Sequence, residues 1–152
     1  MKYMIPGWLR AWWPALLWCS VIFMASTDSF SVQHTGSVLA TILGWLLPNL
    51  SADQFEHIHH VVRKSAHFVE YFVLYWLLFR GFRGDRRGWR WSWASAAMGI
   101  AAIYAVLDEL HQVFVASRGP SVWDSLLDST GAFAALVVMF LYFRFFRSDR
   151  SA

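Results

Sequence analysis

The chain has 152 residues, of which 57% are hydrophobic and 18% aromatic, and its mean hydropathy is +0.39. This apolar content is too high for an ordinary soluble fold and predicts one membrane-embedded domain, residues 1–152, with the lipid bilayer as its surroundings. The net charge of +3 does not indicate a nucleic-acid partner, because the basic residues lie beside apolar segments. The single cysteine, Cys19, excludes an intramolecular disulfide and any cysteine metal motif.

Four apolar segments are predicted to cross the membrane as helices, because about 20 apolar residues span a hydrocarbon core about 30 Å thick. They cover about residues 8–26, 60–80, 91–115 and 122–143. Pro14 in the first segment is expected to kink that helix or to mark its true start. The predicted fold class is therefore all-α, a polytopic membrane bundle of four transmembrane helices.

The first segment also has features of a secretory signal peptide, since Lys2 and Arg10 precede its apolar run and small residues follow it. A good small-x-small cleavage site is missing, because Met24 stands where a small residue is needed. A spanning helix is therefore the favoured interpretation, and cleavage would leave three spans.

The stretch 38–47 between the first two spans is apolar but too short to cross the bilayer. Its apolar residues fall at helical spacing, which predicts a short amphipathic helix near 37–48 in the outer interface. Ser51 and Gln54 then form a capping-box pattern that opens the helix of the second span. Three histidines near the start of this helix are expected to be solvent-exposed and are not favoured as a metal site. They are His57, His59 and His60.

Lysine and arginine are distributed unevenly between the predicted loops. Ten of the thirteen lie in the N-terminal tail, the loop after the second span and the C-terminal tail. By the positive-inside rule, both termini and the middle loop are predicted to be cytoplasmic. The other three, Arg63, Lys64 and Arg118, are predicted on or near the outer side despite the rule.

Three of the predicted spans carry polar residues at the spacing of one helical face. They are Arg63, His67 and Glu70 in the second span, Asp108, His111 and Gln112 in the third, and Asp124, Asp128 and Gly131 in the fourth. Glu109 is turned about 100° from Asp108 around the helix axis. Three helices therefore each offer one polar edge to the bundle.

The depth of these residues predicts that the polar edges meet. His67, Asp108 and Asp128 each lie about 7 residues, or roughly 10 Å, from the predicted outer end of their helix. An isolated charge near the bilayer centre costs roughly 2.5–3.5 kcal/mol, so these side chains are expected to share one site in the extracytoplasmic half. A polar network that only fixes helix packing is the alternative interpretation.

Three kinds of chemistry suit such a site. Acid–base chemistry would use a proton-handling cluster, because burial moves pKa values toward neutrality. Its candidate residues are His67, Glu70, Asp108, Glu109 and His111. Binding of an anionic group would use basic side chains that acids and amides orient. The candidate ligand-binding residues are Arg63, Lys64, Tyr71, Gln112, Arg118, Asp124 and Asp128.

A metal ion is the third possibility. Nitrogen and oxygen donors suited to zinc or a harder divalent ion are present. They are His67, Glu70, Asp108, His111 and Asp128. No compact motif such as H-E-x-x-H is present, so no cofactor is expected and a divalent metal stays an open alternative.

The polar blocks, taken together and in this order, resemble the VanZ-like family over about residues 60–135. They are Arg63-Lys64-x-x-His67-Phe68-x-Glu70-Tyr71, then Asp108-Glu109-x-His111-Gln112-x-Phe114, then Arg118, Asp124, Asp128 and Gly131. The resemblance implies a bacterial inner-membrane protein of the cell envelope, related to a namesake linked to resistance to the glycopeptide antibiotic teicoplanin. The chain departs from the common pattern at Ala116, where Pro is frequent, and at Asp128, where Asn is frequent.

The expected function is that of a VanZ-like protein whose outer-half site binds or modifies an envelope lipid or a lipid-linked cell-wall component. A membrane hydrolase or transferase that uses His, Asp and Glu is one alternative. A small proton-coupled transporter is disfavoured, because residues 73–79 and 94–103 hold no acid or base for a path through the inner half. A structural role with a protein partner is the last alternative.

Overall fold

The computed structural model describes residues 6–27, 32–114 and 122–146, and its regular elements there are all helical. In chain order the helices are α1 (Gly7–Ala25), α2 (Val32–Leu46), α3 (Ala52–Arg83), α4 (Trp91–Gln112) and α5 (Val122–Phe146). The predicted all-α fold is confirmed.

Three of the described helices, α1, α4 and α5, are long and apolar enough to cross a membrane by themselves. This is one fewer than the four spans predicted. The second predicted span lies within α3, whose apolar stretch is interrupted by polar side chains such as Arg63, His67 and Glu70. Length is not the limit, because α3 has 32 residues and measures about 48 Å at 1.5 Å per residue.

Helix α3 nevertheless runs beside α5 through the depth of the bundle. Lys64 lies beside Asp124 at one end of the pair, and Phe79 packs on the ring of Phe143 at the other. The contacts of α3 with α4 run in the opposite direction, from Tyr71 with Tyr104 to Phe79 with Trp93. Those of α3 with α1 do the same, since Trp18 bonds Glu70 and Arg80 bonds Arg10. The four long helices therefore alternate in direction, with α3 and α5 parallel and α1 and α4 antiparallel to them.

Pro14 lies inside α1 and does not mark the start of the helix, which begins at Gly7. Proline has no backbone N–H, so it cannot bond the carbonyl of Arg10 one turn earlier. The Arg80 guanidinium of α3 donates to that carbonyl at 3.3 Å and to the carbonyl of Ala11 at 3.4 Å. A side chain from another helix thus supplies the donor that Pro14 lacks.

A helix is present at the predicted interfacial stretch: α2 begins at Val32, about five residues before the predicted start, and its position at the membrane interface stays a prediction. The capping box is also confirmed, since the Ser51 hydroxyl accepts from Gln54 N–H and the Gln54 side chain accepts from Ser51 N–H. The expectation that His59 is exposed is wrong. It is only 5% exposed, because it stacks on Phe55 and a Cβ added at Gly36 of α2 would lie 3.7 Å from its ring.

The outward faces of α4 and α5 are apolar, with side chains such as Ile103, Leu107 and Val138 about half exposed. Apolar surface that points outward around a buried polar interior is the arrangement of a protein solvated by lipid. Together with α1, these helices support a membrane protein.

Arginines and aromatic rings gather at one end of the bundle, named here the basic end. It comprises the start of α1, the end of α3, residues 84–90 and the end of α5. The guanidinium carbon of Arg83 lies 5.7 Å from the centroid of Phe143, and that of Arg90 lies 5.2 Å from the ring of Trp93. Amphipathic rings and arginines favour the headgroup zone of a bilayer. This end therefore fits the membrane–water interface.

Candidate functional site

Three ionisable side chains from three helices meet in the half of the bundle away from the basic end. His67 of α3, Asp108 of α4 and Asp128 of α5 each offer a ligand atom within 4.8 Å of the other two. Their exposed fractions are 7%, 4% and 0%. We name these residues the polar cluster. Their meeting confirms the prediction from depth, and the chemical role given to them stays a prediction.

The helix contact that brings α3 and α5 together lies directly beside the polar cluster. A Cβ added at Gly131 would overlap the backbone carbonyl oxygen of Phe68. Only glycine lets two helix backbones come this close. Because Phe68 follows His67 and Gly131 lies three residues after Asp128, this approach sets the distance between the two ionisable side chains.

Hydrogen bonding within the polar cluster is incomplete. His67 Nδ1 and Asp128 Oδ1 lie 3.3 Å apart, which is ion-pair range, but they are not aligned as a hydrogen bond. Neither carboxylate oxygen of Asp128 has a hydrogen-bond partner among the described residues. Asp108 is better held, because the Gln112 side-chain amide donates to its Oδ2 at 3.3 Å.

Two further polar groups next to the cluster are buried without a partner in the described part of the chain. They are the hydroxyl of Tyr71, one turn after His67, and the side-chain oxygen of Gln112. Both residues are fully buried. A buried polar atom without a hydrogen bond costs about 1–3 kcal/mol, so such a group in a native protein calls for a further partner.

The other predicted proton-handling residues lie around the polar cluster. Glu109 is 6% exposed, and Glu70 is half-buried, with its backbone carbonyl accepting from the Trp18 indole at 2.9 Å. His111 turns toward α1, where its ring centroid lies 4.5 Å from that of Phe23. His111 is therefore not among the groups whose ligand atoms meet.

Two of the predicted anion-binding residues, Arg63 and Lys64, lie on α3 beyond the cluster, on the side away from the basic end. Lys64 lies one turn before His67, and its Nζ is 3.8 Å from Asp124 Oδ1, with 42% of the Lys64 side chain exposed. Arg63 is half-buried. Arg118 and Ala116 lie outside the described residues.

A groove lies at the other end of the bundle. It has a volume of about 600 Å³ and runs between α3 and α5 near the basic end, with Trp76, Arg80 and Tyr142 in its lining. Its lining contains no acid and no histidine. The chemistry that a proton donor, acceptor or metal ligand needs is found in the polar cluster, which is therefore the candidate functional site.

Sequence reasoning named every member of the polar cluster but missed the contact that positions them. The backbone of Phe68 carries that contact, and a carbonyl leaves no signature in the residue type. Gly131 was noted only as part of a stripe. A glycine one turn from a buried acid was the available signal, because glycine in a membrane helix often marks a close helix approach.

The polar cluster combines an imidazole with two carboxylates in a water-poor interior. Such a set can transfer protons, because imidazole and carboxylate can each accept a proton in one form and donate it in the other. It can also ligate a cation through one nitrogen and several oxygens. The exposed Lys64 one turn away adds positive charge for an anionic group.

Comparison with known protein families matches residues 11–146 to VanZ/LLP1, a range that includes most of α1 and all residues of the polar cluster. No curated protein and no solved structure matches the chain. The match extends beyond the residues 60–135 that carry the sequence resemblance, and with the apolar helices it supports a membrane protein. The chain belongs to the VanZ/LLP1 family.

Proposed function

We propose that this protein binds an anionic, lipid-linked component of the bacterial cell envelope at the polar cluster, from the outer side of the inner membrane. The observation that carries the proposal is the convergence of His67, Asp108 and Asp128 from three helices in a lipid-embedded bundle. Buried ionisable residues in a membrane are costly and are retained where they perform a function.

The proposed topology has four membrane passes, by α1, α3, α4 and α5. Although α3 is too polar to qualify alone, it runs parallel to α5 from Lys64 to Phe79 and buries His67 and Tyr71 against its neighbours. The basic end is cytoplasmic by the positive-inside rule, which leaves the polar cluster in the outer half.

Cysteine labelling tests this topology. With Cys19 replaced by serine, His57→Cys should react with an impermeant maleimide on intact cells, whereas Arg87→Cys should react only after permeabilisation. Both positions are exposed. The reverse pattern would contradict the orientation.

Binding of the anionic group is assigned to the basic residues that break the positive-inside rule. Lys64 and Arg63 lie one turn before His67 on α3, and Arg118 follows α4 in sequence. Lysine and arginine bind phosphate through charge-assisted hydrogen bonds, which are strong where water is scarce. A lipid phosphate or diphosphate would lie at the depth of these side chains with its chains in the bilayer.

Modification of the bound component is the second candidate function, and the polar cluster itself favours it. His67 beside two carboxylates has the composition of a general acid–base set. Proton-coupled transport has no comparable support, because residues 73–79 and 94–103 contain no acid or base. The resemblance connects the family with teicoplanin resistance, and a ligand of the cell-wall pathway would give that connection a chemical basis.

Native mass spectrometry with polyprenyl diphosphate tests the binding proposal, with the uncharged polyprenol as the ligand control. The double variant Arg63→Ala/Lys64→Ala should weaken diphosphate binding about tenfold or more, which corresponds to about 1.4 kcal/mol. The matched control is Arg86→Ala/Arg87→Ala, which removes two arginines of the basic end. Equal binding by both double variants, or equal binding of diphosphate and polyprenol, would contradict the proposal.

A further inference from the structure

We propose that His67, Asp108 and Asp128 hold a divalent metal ion of the zinc class. The histidine nitrogen favours zinc over magnesium, which prefers an all-oxygen octahedral shell. Three protein ligands leave a fourth position, as in zinc sites that bind water or a substrate.

The distances within the polar cluster agree with ligands that share one ion. Two ligands at about 2.1 Å from a tetrahedral zinc ion lie about 3.4 Å apart. His67 Nδ1 and Asp128 Oδ1 are 3.3 Å apart, and no pair of the three ligand atoms exceeds 4.8 Å. A small rotation of the Asp108 side chain would complete the triangle.

The second observation is the unsatisfied state of the fully buried Asp128 carboxylate, both of whose oxygens lack hydrogen bonds among the described residues. A metal ion would bind one or both oxygens. The Gln112 amide already donates to Asp108 Oδ2, which is the support that metal-binding carboxylates receive from residues behind them.

The charges of the polar cluster also favour a bound metal ion. Asp108 and Asp128 place two carboxylates within 4.8 Å of each other in the membrane interior, and His67 offsets at most one negative charge. A bound dication would neutralise the pair without a shared proton. A carboxyl–carboxylate pair that shares a proton is the competing state, and it would bind no metal.

The metal site occupies the same polar cluster as the proposed envelope-ligand site but does not depend on it, because metal content is measured without any lipid. Zinc there would add positive charge beside Lys64, where the anionic group is expected. A wild type that binds diphosphate but retains no zinc would overturn this inference alone. A wild type that retains zinc but does not bind diphosphate would overturn the proposed function alone.

Metal analysis of the purified full chain tests the inference. Protein in detergent is stripped with EDTA, loaded with Zn²⁺, freed of excess metal by gel filtration and analysed by mass spectrometry of the elements. The wild type should retain about one zinc per chain, and Asp128→Asn and His67→Gln should lose most of it. The surface controls His57→Ala/His60→Ala and Glu56→Gln should retain it.

Zinc-dependent thermal stability separates loss of the site from loss of the fold. Zn²⁺ should raise the Tm of the wild type by several degrees. It should leave the Tm of Asp128→Asn unchanged, while circular dichroism shows the same helicity in both proteins. A wild type without zinc, an equal Tm shift in Asp128→Asn, or loss of zinc in His57→Ala/His60→Ala instead would overturn the proposal.

Discussion

The buried faces of α3, α4 and α5 form a seam along the bundle, and the two halves of this seam differ in chemistry but not in burial. On α4 one helical face carries alanines toward the basic end and polar residues toward the other end. In order these residues are Ala94, Ala97, Ala101, Ala105, Asp108 and Gln112. The alanines and Gln112 are fully buried, and Asp108 is 4% exposed.

The buried faces of α3 and α5 show the same change from polar to apolar residues. On α3 the seam passes from His67 through Tyr71 to the apolar Leu74 and Phe79, and on α5 it passes from Asp128 to Ala132. Close packing alone does not require the polar half, because the apolar half packs the same helices with no buried acid or histidine among the described residues. This contrast supports the proposal that the polar half performs chemistry, at a cost in desolvation.

The largest expected effect comes from giving the apolar half the charge that the polar half carries. Ala101→Asp should destabilise the bundle by roughly 2.5–3.5 kcal/mol, because Ala101 is fully buried and a carboxylate there would lose its hydration. Unfolding in mixed detergent micelles measures this change, with Ala101→Asn as the uncharged control of the same size. Equal stability of Ala101→Asp and wild type would show that the two halves tolerate charge equally.

A smaller effect is expected where the two helix backbones touch. Gly131→Ala should cost about 1–3 kcal/mol, because its methyl group overlaps the carbonyl of Phe68 and forces α3 and α5 apart. Gly99→Ala is the matched control, since a Cβ there meets nothing within 4 Å. That control should be about 0.5–1 kcal/mol more stable than wild type. The same sign for both variants would contradict the close-approach argument.

The smallest effect is expected at the basic end. Arg80→Met should cost about 1 kcal/mol, because it removes the donor to the carbonyls of Arg10 and Ala11. Pro14→Ala restores a backbone donor for Arg10, so Arg80→Met should cost less in that background. A double-mutant cycle on unfolding free energies measures the coupling, and strict additivity would contradict it.

The main features of the fold could be predicted from the sequence because they follow from periodicity. Apolar runs located the long helices to within a few residues, except that α3 begins at Ala52, well before the predicted span. The capping box of Ser51 and Gln54 placed its start. The polar cluster was predictable for a related reason, since His67, Asp108 and Asp128 interrupt apolar runs at one depth.

The features that sequence reasoning missed depend on neighbours distant in the chain. His59 was expected in solvent, but α2 folds back over it. Pro14 does not mark the start of α1, and the donor to the carbonyl that it frees, Arg80, comes from another helix. His111 lies on the same predicted helix face as Asp108, yet its ring packs against Phe23 of α1. Helix periodicity gives a residue's direction from its own axis but not what lies in that direction.

The central claim is that the polar cluster performs chemistry and does not hold the fold together. Asp108→Ala/Asp128→Ala tests it most directly, because it extends the alanine faces of α4 and α5 into the polar half. Tm is measured in metal-free buffer, and polyprenyl diphosphate binding is measured after Zn²⁺ loading and removal of excess metal, because the bound zinc supplies the positive charge beside Lys64. The account predicts a Tm equal to or above that of the wild type and loss of binding. Wild-type affinity in a folded double variant would contradict it.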